Sequence, residues 1–196
     1  RSARLWTILA DGPQMQIQGP IILTDESAPT RPQSLIEGHR YLALSFHASQ
    51  DGRRLFIGGV DGTLRIFDVR RGTELGVLSG NGLNMGFAVS GDGRLVLSAS
   101  SERGVSAQLW ELGVDGEVPA ESRLQLVGHD HPVTAYAISP DGARLYTGDQ
   151  KGIGRLWDAT TGQPIGQPLT YHDGLRINDA AFLPDGRIVT GADDLT

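Results

Sequence analysis

The chain has 196 residues, a formal charge of −6, no Cys and 39% hydrophobic residues. That apolar content supports a core and excludes wholesale disorder, no aliphatic run approaches the ~20 residues of a membrane-spanning helix, and the missing thiols exclude disulfides, thiolate catalysis and iron–sulfur ligation. The acidic balance is opposite in sign to that of proteins built on phosphate-backbone binding, and without a charged-then-apolar leader the expectation is a soluble, cytoplasmic domain.

In chain order, residues 1–23 read as half a structural unit, with a third strand at Ala3–Trp6 and a fourth at Gln16–Leu23. Residues 24–38 form a polar, proline-bearing connection. A full unit follows at about 39–79. Tyr41–Phe46 is its first strand and Asp51-Gly52 a hairpin turn. Arg54–Gly58 is the second strand, Asp61-Gly62 the next turn, and Leu64–Asp68 the third strand. Arg71-Gly72 turns the chain again and Glu74–Leu78 closes the unit. Two more units occupy about 80–128 and 129–170, the former interrupted by an acidic connection at 112–122. Residues 171–196 supply a first strand (Ile177–Phe182) and a second (Arg187–Gly191).

The units repeat. Asp-Gly pairs begin at Asp51, Asp92, Asp141 and Asp185, spaced 41, 49 and 44 residues apart. The aromatics Trp6, Phe67, Trp110 and Trp157 recur at 61, 43 and 47 residues, and His39, His129 and His172 keep the same phase. No helical stripe interrupts the short strands. A lone four-stranded sheet leaves both faces open, and radial stacking of such sheets covers them.

Gly38-His39, Ser139–Gly142, Asp61–Thr63 and Leu156–Asp158 together resemble the WD-repeat β-propeller family. The resemblance spans nearly the whole chain apart from about residues 20–37, and implies an all-β propeller with three complete four-stranded blades and two terminal half blades. Closure of the ring is then expected from flanking blades or a second chain, with closure of the half blades on each other as the remaining route. The family pattern also implies a hydrogen-bonded tetrad of His, Ser or Thr, Asp and Trp, carried here in part by His39 and Asp61, by His129, Thr147 and Trp157, and by His172, Thr190 and Asp194. In the first unit Ile57 and Phe67 replace the hydroxyl and the Trp. In the third, Lys151 falls where the acid is expected, so Lys151→Asp is expected to restore it. Arginine-rich, lysine-poor usage and the Ala159–Pro164 linker are similar to bacterial repeats of this type.

Other chemistry is weaker. His129-Asp-His131 has no third ligand at metal-like spacing. Gly80–Gly86 departs from phosphate-loop spacing and precedes a strand. There is no G-x-S-x-G nucleophile elbow. Asp193-Asp194 reads as a tetrad acid with a solvated neighbour, Arg53-Arg54 and Arg70-Arg71 as solvated turn residues, and Trp6, Trp110 and Trp157 as core. No catalytic, cofactor or metal residues are assigned. The resemblance implies a non-enzymatic protein-interaction scaffold within a larger protein. Its partners would meet exposed positions opening each first strand: Arg40, Leu42, Leu83, Met85, Pro132, Thr134, Arg176 and Asn178. The alternatives are an enzyme using the central channel and a purely structural or sensory domain without its own partner.

With a charge of −6 and arginines spread over every unit, duplex DNA and single-stranded RNA are expected to bind no tighter than ~10⁻⁴ M at near-physiological salt. Submicromolar affinity in a fluorescence titration would contradict this.

Overall fold

The structure is a computed structural model that describes residues 4–9, 16–22, 43–59, 61–79, 86–99, 106–113, 117–119 and 121–194, with side chains from Ser45 onward. Among the described residues every regular element is a β-strand and every pairing is antiparallel. β1 (Arg4–Leu9) and β2 (Gln16–Ile22) form a two-stranded sheet. β3 (Ala43–Ala48), β4 (Arg54–Gly59), β5 (Leu64–Asp68) and β6 (Thr73–Leu78) form a four-stranded meander. Two more meanders follow: β7 (Phe87–Val89), β8 (Leu95–Ala99), β9 (Ala107–Glu111) and β10 (Leu124–Leu126), then β11 (Val133–Ile138), β12 (Arg144–Asp149), β13 (Gly154–Asp158) and β14 (Pro164–Leu169). β15 (Ile177–Phe182) pairs with β16 (Ile188–Ala192).

Each four-stranded sheet packs face to face on the next. Phe56, Ile66 and Leu78 of the β3–β6 sheet meet Val89, Val96 and Trp110 of the β7–β10 sheet. The other face of that second sheet, through Leu97, Leu109 and Leu126, meets Val133, Leu145 and Trp157 of the third. Ala135, Ala137 and Tyr146 then meet Ile177 and Ala180 of β15. A sandwiched strand has no solvent side, so β11 and β12 are buried almost continuously. β16 alternates between intermediate and exposed positions, as a strand with one covered face does. The first strands β3, β7, β11 and β15 stand side by side and line one cavity of about 330 Å³.

The Asp-Gly turns are built from side-chain chemistry. Ser49 donates its hydroxyl to Asp51 at 2.6 Å and accepts the Arg54 N–H at 2.9 Å, while Asp51 accepts the Arg53 N–H at 3.0 Å. Ser90 with Asp92, and Ser139 with Asp141, repeat the arrangement. Gly142 takes φ +69°, a conformation glycine adopts without steric cost. In the β15–β16 hairpin Leu183 replaces the Ser, and backbone bonds hold the turn, Leu183 N–H to Arg187 O at 2.7 Å and Gly186 N–H to Leu183 O at 2.9 Å. The residue opening each second strand leans onto the next sheet's turn. The Arg54 guanidinium donates to the Gly93 carbonyl at 2.8 Å, and Leu95 lies against Gly142. A second link ties this turn to the one between third and fourth strands, by Val69 N–H to Arg53 O, Leu112 N–H to Arg94 O and Ala159 N–H to Ala143 O, at 2.8, 2.8 and 2.9 Å.

These turns predict acid sensitivity. The Ser139 hydroxyl and then the Ala143 N–H hold Asp141 below its ordinary 3.8, and the Ser49 hydroxyl and the Arg53 N–H do the same at Asp51. At Asp92 partial burial opposes the shift, and the Ser90 hydroxyl with the Arg94 amide and guanidinium outweigh it. A carboxyl with a depressed folded value stabilises the fold above the unfolded value. That stability is lost as pH falls from about 3.8 through the lower folded values. A melting curve measured against pH should therefore drop below pH 4, and Ser49→Ala with Ser139→Ala should flatten the drop.

Candidate functional site

The polar centre of the third sheet is a chain of four side chains. The His129 side chain is fully buried, and burial is the main force lowering its pKa; the bond to Asp149 opposes it. The neutral ring must donate from Nδ1, because the Asp149 carboxylate only accepts; the contact is 2.9 Å. Nε2 then accepts the Thr147 hydroxyl proton at 2.8 Å, and the same oxygen accepts the Trp157 Nε1–H at 2.8 Å. Asp149 also caps its own turn, its other oxygen taking the N–H groups of Lys151 and Ile153 at 2.8 and 3.0 Å.

Asp149 corrects the expectation placed on Lys151. The residues i and i+2 of a strand share a face, so an acid two positions after Thr147 already stands beside His129. Lys151 is exposed on the turn, and its backbone N–H alone joins the network. In the β15–β16 hairpin the acid does come four positions after the hydroxyl residue: His172 Nδ1 meets Asp194 at 2.7 Å and Nε2 meets Thr190 at 2.8 Å. Two registers thus deliver a carboxylate to the same ring nitrogen.

The other sheets reduce the chain further. Trp110 Nε1 donates to Ser98 Oγ at 3.0 Å, and Ser98 follows Asp92 by six positions as Thr147 follows Asp141, a spacing that marks the pair in the sequence. In the first sheet Ile57 and Phe67 occupy the strand registers of Thr147 and Trp157 and are buried at 0% and 1% exposure. Replacing both members of a hydrogen-bonded pair by apolar groups is close to neutral, unlike removing one. Asp61 closes its turn on the Thr63 N–H and hydroxyl at 3.1 and 2.7 Å. His39 lies outside the described residues, as does the side chain of Trp6.

Of the first-strand positions expected to be exposed, Arg40, Leu42, Leu83 and Met85 lie outside the described residues. Pro132, Arg176 and Asn178 are exposed. Thr134 is not: it is 9% exposed, and its hydroxyl donates to the Ile177 carbonyl at 2.6 Å, bridging β11 to β15. The first strands are the inner ones, and a short hydroxyl there faces the neighbouring strand. Asn178 bonds Asp193, whose N–H donates to the Arg176 carbonyl at 3.0 Å.

Arg176 ends a loop with its own character. Asp173–Arg176 separates His172 from β15, one residue more than Asp130–Pro132 between His129 and β11. The extra length is taken up by successive positive φ angles, 44° at Asp173 and 78° at Gly174. Tyr171, in the place of Gly128, is 79% exposed and Leu175 is 44% exposed. The neighbouring turn is pressed beneath this loop. Gly152, at φ +73°, has no room for a Cβ, which would lie 2.8 Å from the Leu175 carbonyl oxygen. The inner-strand cavity carries His47 and Asp179 among mainly apolar side chains, and burial lowers the His47 pKa. Among the described residues no three His, Asp or Glu side chains come together as a metal-binding group.

Stacked antiparallel four-stranded sheets, one of them with a complete Trp–hydroxyl–His–Asp chain, define a WD40-repeat propeller architecture. The sequence model described as "WD domain, G-beta repeat" matches residues 30–68 and 121–158, which supports membership of the WD40 repeat family. Apoptotic protease-activating factor 1 of Rattus norvegicus is 27% identical over 171 residues, 83% of this chain and 13% of that protein. The guanine nucleotide-binding protein subunit beta of Arabidopsis thaliana is 29% identical over 140 residues, 69% of this chain and 37% of that protein. Protein groucho of Drosophila melanogaster is 30% identical over 140 residues, 69% of this chain and 18% of that protein. The chain therefore spans well under half the length of each of these relatives. The crystal structure of RRP9 WD40 repeats shares the fold, with a TM-score of 0.63 at 15% identity over 79% of this chain and 54% of that one.

The network predicts a sharp contrast. Trp157→Ala should cost roughly 3–5 kcal/mol, and Asp149→Ala roughly 1–3 kcal/mol by leaving a buried ring N–H unpaired. Lys151→Asp should bring no gain, because the place is filled. Urea unfolding of the three variants reads all of this.

Proposed function

We propose that the chain is a non-enzymatic protein-interaction scaffold, a propeller segment of a larger protein. Partners meet it at the end where the loops into the first strands gather with the turns between second and third strands. The observation that carries this reading is the Tyr171–Arg176 loop. It presents an exposed aromatic ring, an exposed leucine and an arginine, held firmly by the Leu175 N–H to His172 O bond at 2.7 Å and by the turn packed beneath it. Tyr and Arg are the residue types that dominate binding energy at protein interfaces, and a rigid loop loses little entropy when it docks. His172 makes the same contacts as His129 with or without a glycine before it, so the fold does not require an exposed Tyr at this position. The similarity to a protein named as a subunit, a component of an assembly, agrees with this reading. The arginine-rich composition and the Ala159–Pro164 linker favour a bacterial parent protein.

Pull-down from the native cell with this chain and with a Tyr171→Ala/Arg176→Glu variant tests the proposal. A partner captured by the native chain should be depleted at least about tenfold by the variant while the melting temperature is unchanged. Equal capture would place the partner elsewhere.

A further inference from the structure

The opposite end of the sheets carries a second surface. There the turns between first and second strands lie against those between third and fourth, joined by the backbone bonds already described. In the first and third sheets these paired turns are built alike. Asp68 accepts the N–H groups of residues 70 and 71 at 2.8 and 2.9 Å, and Asp158 accepts those of residues 160 and 161 at 2.9 Å each. Gly72 and Gly162 close the two turns at φ 69° and 70°. The side chains differ completely. The third sheet has Ala143, Thr160 and Thr161, and the first has Arg53, Arg70 and Arg71 at the corresponding places.

The third sheet therefore acts as an internal control: this pair of turns forms without a cation at those three places. The three guanidinium groups are also poorly engaged by their own carboxylates. Arg53 stands 3.6 Å from Asp51 and is 64% exposed, Arg71 stands 3.7 Å from Asp68 and is 76% exposed, and Arg70 is exposed. One oxygen of each carboxylate is already occupied by turn N–H groups, and that of Asp51 by the Ser49 hydroxyl as well. Arg54, the remaining cation here, spends its donors on the Gly93 and Gly113 carbonyls. On a chain of net charge −6, this is a local concentration of unspent cationic donors.

We propose that Arg53, Arg70 and Arg71 form a docking site for an acidic, carboxylate-rich segment of a partner protein. Guanidinium forks match carboxylates bidentately. Two adjoining turns offer them to an extended chain, while the acidic remainder of the surface disfavours a uniformly charged polyanion such as RNA. The site is independent of the Tyr171–Arg176 loop, and the failure of either leaves the other standing.

Fluorescence anisotropy with a labelled peptide that carries three Glu residues spaced among Gly and Ser tests it. Arg53→Ala/Arg70→Thr/Arg71→Thr, which copies the third sheet, should weaken binding about tenfold and flatten its salt dependence, with unchanged melting. The reciprocal variant, Ala143→Arg/Thr160→Arg/Thr161→Arg, should add a second equivalent site, a gain that impaired folding cannot produce. Unchanged affinity in the first variant, no added site in the second, or tighter arginine-dependent binding of single-stranded RNA than of the peptide would each overturn the proposal.

Discussion

A four-stranded sheet of short, apolar strands has two faces to keep from water, and that constraint organises the rest of the molecule. Each sheet solves it by lying against the next. The clusters around Phe56 and Trp110, Leu97 and Trp157, and Tyr146 and Ile177 are therefore successive interfaces between sheets. Face-to-face stacking forces the first strands together at one side, where Thr134 spends its hydroxyl on the neighbouring strand and glycines allow close approach. It also sends every connecting segment to one of two ends, because the strands alternate in direction. The ends, like the exposed outer strand β14, are places where the sequence is released from packing.

The buried indole and imidazole groups of the second and third sheets enter this stack as hydrogen-bonded chains. A Trp N–H or a His ring buried between sheets has no water to turn to, so its partner must come from the same sheet. The third sheet supplies all four members, the second a Trp–Ser pair, and the first replaces hydroxyl and indole with Ile57 and Phe67. In these chains each buried ring N–H finds an acceptor, and the identity of the members is secondary. Asp149 and Asp194 serve from different registers, because either a strand end or the following turn can bring a carboxylate to the same nitrogen.

This explains what was legible in the sequence. The Asp-Gly spacing and the recurring aromatics carry the period, and the all-β architecture of three full sheets and two hairpins follows from it. The turns were readable because a Ser-x-Asp-Gly turn is local chemistry, complete within a few residues. The acid of the third sheet was not readable by counting back from Trp157, since that count assumes one turn length and one register. Counting forward from Thr147 in steps of two finds Asp149. The burial of Thr134 was hidden because its partner is the Ile177 carbonyl, 43 residues away. The alternation expected of half-buried strands appears in β16 and fails in β12, where both faces are covered.

Repetition also separates fold from function without any second protein. Where two units build the same backbone turn with different side chains, the difference cannot be a requirement of the turn. Asp68 and Asp158 hold identical loops, and what changes between them is three arginines for an alanine and two threonines. His129 and His172 make matching contacts, and what changes is the residue before each and the length of the loop after it. Both divergences fall at the ends of the sheets and both expose residues that cost solvation to bury. Neither falls in the stacked faces, where a difference such as Ile57 for Thr147 keeps the interface apolar. The stacking that fixes the architecture thus limits interior variation to changes that keep the faces apolar or paired, and leaves each end free to differ from unit to unit.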